Sequence, residues 1–138
     1  NQSDAKKQRK EELKEKLKDN FYELNVNEIE NLLSLDTIKN VLKKENPNQD
    51  NIIDSAFNKS PNYDSTYLGK YIDEQISSVN GSSENGIKTY GAASGTIKNK
   101  VKFCEDAISC IKNYNDLSDN AKILVEKIYN FIRSNNIN

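Results

Sequence analysis

Apart from Gly69, the helix-stopping residues of this chain fall in three places. Pro47 and Pro61 are its two prolines, and "NGSSENGIKTYGAASG", residues 80–95, holds four of its five glycines. Proline and glycine are the strongest local punctuators of regular structure, so the long stretches between these points favour helix. Apolar residues make up 35% of the 138 and charged residues 30%, which restricts a core to narrow stripes on amphipathic elements. The fold expected is all-α: a single compact bundle of five or six helices with one long flexible loop over 80–95, in which Ile87 and Tyr90 are the points of attachment. A chain of this length suits one domain and can bury roughly two thirds of the surface its unfolded form exposes.

The stretch "DAKKQRKEELKEKLKDNFYEL" combines strong helix formers with Leu13, Leu17, Phe21 and Leu24 on one stripe. Its start carries no apolar side chain but Ala5, so residues 1–18 read as a tether into the first helix and 19–138 as the bundle domain. Asn27 and Glu30 have the spacing of a capping box for "NEIENLLSL". Asp36 is placed to cap "TIKNVLKKEN", whose Ile38, Val41 and Leu42 share a face, and Pro47 ends that helix. A short helix over "NIIDSAFN" would pack Ile52, Ile53, Ala56 and Phe57.

Beyond Pro61, "STYLGKYIDEQISSV" follows a cap at Asp64 or Ser65 and buries Leu68, Ile72, Ile76 and Val79. Gly69 costs this helix about 1 kcal/mol relative to alanine, which points to a close packing contact. The spacing in "TIKNKVKFCEDAISCIKNY" puts Ile97, Val101, Cys104, Ile108 and Ile111 on an inner stripe. Ser118 or Asp116 caps "DNAKILVEKIYNFIR", with Ala121, Leu124, Val125, Ile128 and Ile132 expected to be buried.

Cys104 and Cys110 are the only cysteines. Six residues along an unbroken helix separate their α-carbons by roughly 10 Å, against about 7 Å for the longest usual disulfide. They read as two small core residues, with an intermolecular bridge, or a bridge across a kink, as the alternatives. The chain has no histidine and no second cysteine pair, so a zinc site lacks ligands. In "ENPNQDNIIDSAF", Asn46, Asn48, Asp50 and Asp54 fall at calcium-loop positions, but Asn51 stands where the loop needs glycine and Phe57 where it needs glutamate. No nucleophile motif or phosphate-cradling glycine loop is present, and Asp73–Glu74 and Glu105–Asp106 point different ways on a helix. The expectation is a non-enzymatic chain with no metal and no cofactor.

With 20 basic against 21 acidic residues there is no basic field for nucleic acid. No stretch has the roughly 18–20 apolar residues that span a bilayer. The chain starts at Asn1 and has no methionine, so it reads as a trimmed or mature piece. The sequons at Asn58 and Asn80 matter only if a eukaryote secretes the chain. What remains is recognition. Tyr63, Tyr67 and Tyr71 cluster with Asp64 and Lys70 in "SPNYDSTYLGKYIDE", and Lys88 and Tyr90 belong to the glycine-rich loop. Tyrosine gives large contact area at low entropy cost, which makes these seven the candidate partner-binding residues. The plain alternative is that Tyr67 and Tyr71 are core-edge residues of one helix.

The Lys- and Glu-rich lead "SDAKKQRKEELKEKLKDN", the helical body and the excess of lysine, asparagine and isoleucine together resemble spirochaetal outer-surface lipoproteins of the Borrelia type. That resemblance implies a lipidated cysteine upstream, display on the bacterial outer surface, and membrane association through the lipid alone. It further implies immune evasion by capture of a host plasma protein such as the complement regulator factor H, by a monomer or dimer. A structural domain that self-associates through its apolar stripes is the second expectation, and membrane-surface binding through the basic lead a third.

Overall fold

The computed structural model describes residues 4–59, 62–80 and 86–136. Residues 1–3 of the expected tether, the break at Pro61 and residues 81–85 of the expected loop lie outside that description. Six α-helices follow one another: α1 (Asp4–Leu17), α2 (Leu35–Glu45), α3 (Asp50–Ala56), α4 (Leu68–Asn80), α5 (Lys100–Cys110) and α6 (Asp119–Asn135). Single 3-10 turns lie at Lys18–Asn20, Ile29–Leu32 and Tyr114–Asp116. The protein is an all-helical bundle, in which α2 packs on α5 and α3, and α3 on α4. An isolated antiparallel bridge joins Gly91 to Ile97.

The core collects where the sequence stripes meet. Ile38, Val41 and Leu42 of α2, Ile53 and Ala56 of α3, Phe57, and Leu68, Ile72 and Ile76 of α4 are all buried. Tyr71, Tyr90, Ile97, Phe103 and Ala107 complete the same cluster. Each large aliphatic side chain so buried contributes about 1.5–3 kcal/mol. Val79, the last member of the α4 stripe, lies beyond this core and is exposed.

Several helix starts differ from expectation, by up to four residues: α4 begins at Leu68, past the expected cap at Asp64 or Ser65, with its first amide donating to the Glu28 carboxylate, and α5 begins at Lys100 rather than Thr96, capped by Asn99. Ser34, not Asp36, caps α2, with its hydroxyl accepting from the Thr37 amide. Around Ile29–Leu32 the capping box is Glu28 with Asn31 rather than Asn27 with Glu30. The Asn31 amide nitrogen then donates to the carbonyls of Tyr63 and Thr66 at 2.6 and 3.1 Å, tying this turn to the approach to α4. At α6 the expectation holds: Ser118, one of its two expected caps, has its hydroxyl accepting from the Ala121 amide. α1 stops at Leu17, where Lys18 takes a φ of +47°, so Phe21 and Leu24 leave the helix they were expected to extend.

Two stripes are corrected. In α5 the buried side is Phe103, Asp106 and Ala107 with Cys110 against the core, while Val101 and Ile108 are each 71% exposed. Phe103 and Ala107 take the inner side of α5 in the core, and Asp106 beside them meets Lys44 across the α2–α5 contact, with 2.5 Å between ammonium and carboxylate. Both cysteines are free thiols on one unbroken helix. In α6 no residue is buried, so the inward packing expected for Val125, Ile128 and Ile132 does not occur within one chain. α1 likewise buries none of its residues.

Candidate partner-binding surface

The flexible loop expected over 80–95 is, from Gly86 onward, a fixed turn. The Asp73 carboxylate accepts from the amides of Tyr90 at 2.7 Å and Gly91 at 2.8 Å. The Ala92 amide donates to the Thr96 carbonyl, that of Lys98 to the Tyr90 carbonyl, and that of Lys70 to the Gly95 carbonyl. Gly95 adopts a φ of +87°, a conformation open to glycine. At the crossing, a methyl on Gly69 would come within 2.6 Å of the Thr96 carbonyl oxygen. The close contact expected at Gly69 is therefore the seat of the turn on α4.

This seating makes one wall of an open cleft of about 700 Å³. The other wall is the outer face of α4, where Tyr67, Lys70, Glu74 and Ser77 follow at steps of three, four and three. Such spacing aligns side chains along a helix, and it leaves Leu68, Ile72 and Ile76 facing the core. Tyr67 lies just before the first helical residue with its ring beside Gly95 and 48% of the residue exposed. Lys70 and Glu74 form an ion pair at 3.7 Å, open to solvent on both sides. Exposed pairs of this kind contribute about 0–1 kcal/mol, so both charges can re-pair with a partner.

The seven expected residues are not brought to one surface. Tyr67 and Lys70 line the cleft. Tyr71 is buried, with its ring 5.3 Å from that of Tyr63 and 6.1 Å from that of Phe57. The Tyr63 hydroxyl donates to the Leu33 carbonyl at 2.6 Å, and burial, then the charge of Asp64, pushes its phenol up to about 12. Asp64 is half-buried; its carboxylate accepts from the Asn120 amide nitrogen at 3.2 Å. Tyr90 is buried edge-on to Phe103, and its hydroxyl accepts from Asn46 at 2.8 Å. Burial is the first cause raising its phenol pKa, and a hydrogen bond with Glu45 the second. Lys88 pairs with Glu45 at 2.8 Å and lies outside the cleft.

Tyr63, Tyr71 and Tyr90 are thus structural, because each phenol packs into or against the core. Asp73, Glu74 and Ser77 were missing from the expectation, although the spacing of Glu74 and Ser77 from Tyr67 was a readable signal. A second exposed feature gathers on α6, where Ile123, Val125, Ile128, Tyr129, Phe131 and Ile132 are all exposed. Beside it runs a groove of about 410 Å³, lined by Phe21 and Tyr22 and by Leu124, Ile128 and Phe131.

Among the described residues no group of three or more His, Cys, Asp or Glu side chains is arranged to hold a metal ion. Among them, too, no helix is long and apolar enough to cross a membrane. The chain matches no protein-family profile, no curated protein and no solved structure.

Proposed function

We propose that this chain is a non-enzymatic protein-binding module that engages its partner through the cleft between α4 and the 91–97 turn. The observation that carries the reading is Tyr67, an aromatic side chain half exposed at the rim of a cleft whose far wall is pinned to α4. Partly exposed aromatic anchors are where interfaces concentrate their affinity. A wall already fixed loses little entropy on binding. The solvent-open charges of Lys70 and Glu74 supply a polar rim of both signs.

The resemblance to surface lipoproteins supplies the first partner to test, the host complement regulator factor H, held at a bacterial outer surface where it dampens complement. The test is capture of human serum proteins and of purified factor H on immobilised chain. Factor H is expected to dominate, to weaken as salt rises, and to lose tenfold or more in affinity with Tyr67→Ala. Retention unchanged by both Tyr67→Ala and Lys70→Glu removes the cleft from the reading. No enrichment of any serum protein removes the host-partner reading itself.

A further inference from the structure

The chain exposes 9671 Å². A compact monomer of 15.7 kDa is expected to expose about 7,300 Å², so this molecule carries roughly a third more surface than its mass requires. A standard protein interface buries about 800 Å² on each partner, well within that surplus. Part of the surplus lies on α1 and α6, the two α-helices with no buried residue. α6 is held to the body by polar contacts near its start: Ser118 Oγ donates to the Leu32 carbonyl at 2.6 Å, and Asn120 reaches Asp64. Further along, Lys127 lies over the Tyr22 ring, with its ammonium 4.9 Å from the centroid.

The apolar residues of α6 fall into two rows offset by one position. Leu124, Ile128 and Phe131 face the groove beside Phe21 and Tyr22. Val125, Tyr129 and Ile132 repeat the same steps of four and three, one residue later, about 100° further round the helix. They form an exposed ridge beside the groove, in which Tyr129 is 62% exposed. A groove and a ridge side by side on one face are what a self-complementary contact needs.

We infer that α6 pairs with α6 of a second copy of this chain, related by a twofold axis running along the helix. That operation keeps the helices parallel and sets the ridge of each copy in the groove of the other. Val125, Tyr129 and Ile132 then meet Leu124, Ile128 and Phe131 of the partner at nearly the same height. An antiparallel pair on this face sets ridge against ridge instead.

The experiment is light scattering on the full chain across the micromolar range. The expected mass is twice 15.7 kDa, falling to the single-chain value in Tyr129→Asp and in Ile132→Asp. Ile123→Asp, an exposed change on the opposite side of α6, is expected to leave the dimer intact, and thermal melting by circular dichroism shows that each variant is folded. Asn135→Cys is expected to form an intermolecular disulfide on mild oxidation faster than the native chain does, since a parallel pair brings these two positions together. A single-chain mass at every concentration overturns the inference, as does a dimer untouched by both ridge variants. A dimer in which Asn135→Cys cross-links no faster than the native chain overturns the parallel geometry.

Discussion

A methyl group at position 69 would sit 2.6 Å from the Thr96 carbonyl oxygen and 2.8 Å from the α-carbon of Gly91. Both neighbours are backbone and cannot rotate away, so the gain of about 1 kcal/mol that alanine brings to a helix is outweighed. Gly69→Ala is expected to destabilise the fold by about 1–3 kcal/mol, measured by urea unfolding; a stabilised variant would mean the turn is not seated as described. Asp73→Ala removes the acceptor for two loop amides and is expected to cost about 1–3 kcal/mol. Proton binding offers a separate check. Burial holds the Tyr63 phenol neutral to about pH 12, whereas the unfolded chain ionises it near 10. The unfolded state therefore loses its proton first, and stability declines as pH rises from 10 toward 12. Tyr63→Phe is expected to flatten that decline in melts followed across the alkaline range.

At the level of elements, α2, α3 and α4 were legible because their apolar residues recur at steps of three and four with few competitors on other faces. α5 was not, since Val101, Cys104 and Ile108 make an equally regular stripe. The inner face is set by partners from other elements, Tyr90 against Phe103 and Lys44 of α2 on Asp106, contacts that no reading of α5 alone contains. Nor was the 86–98 turn legible: glycine was taken as freedom where Gly91 and Gly95 serve close approach to α4. On the cleft itself, Tyr67 and Lys70 were picked out from the sequence by their chemistry, and the core-edge alternative anticipated the packing of Tyr71; the burial of Tyr90 was not legible, because it depends on Phe103 of α5. For the thiols of α5, both are expected to react with an alkylating agent, giving two labels by intact mass. Burial, then the nearby Glu30 carboxylate, raises the Cys104 thiol pKa, so the yield at that site is expected to climb with pH above neutrality. A native mass two hydrogens light would contradict the free-thiol state.

Across the whole molecule, ion pairs cross the same helix contacts that the core fills, and one ties α5 to the turn at Ile29–Leu32. Lys44 and Lys102 flank Asp106, Lys100 bridges Glu28 and Glu30, and Lys39 and Lys43 hold Asp54. Lys102, then Lys44, keeps the Asp106 carboxyl well below its ordinary 3.8, and Lys39 and Lys43 lower Asp54 in the same way. A depressed carboxyl contributes stability above its unfolded pKa that is lost as pH falls toward the folded value. Melting temperature is expected to hold from neutrality to about pH 4 and drop below it, less steeply in Asp106→Asn. A melting temperature indifferent to acid would remove these pairs from the account of stability.

α6 is fastened near its start and stripped of buried side chains along its length, which gives the chain an uneven resistance to opening. Amide hydrogens of α2 and α4 exchange with solvent only when the core itself comes apart, whereas those beyond Val125 need only the local fraying of one helix. A second copy laid along α6 would close that difference, so deuterium uptake over 125–135 should slow as protein concentration rises while uptake in α2 stays level.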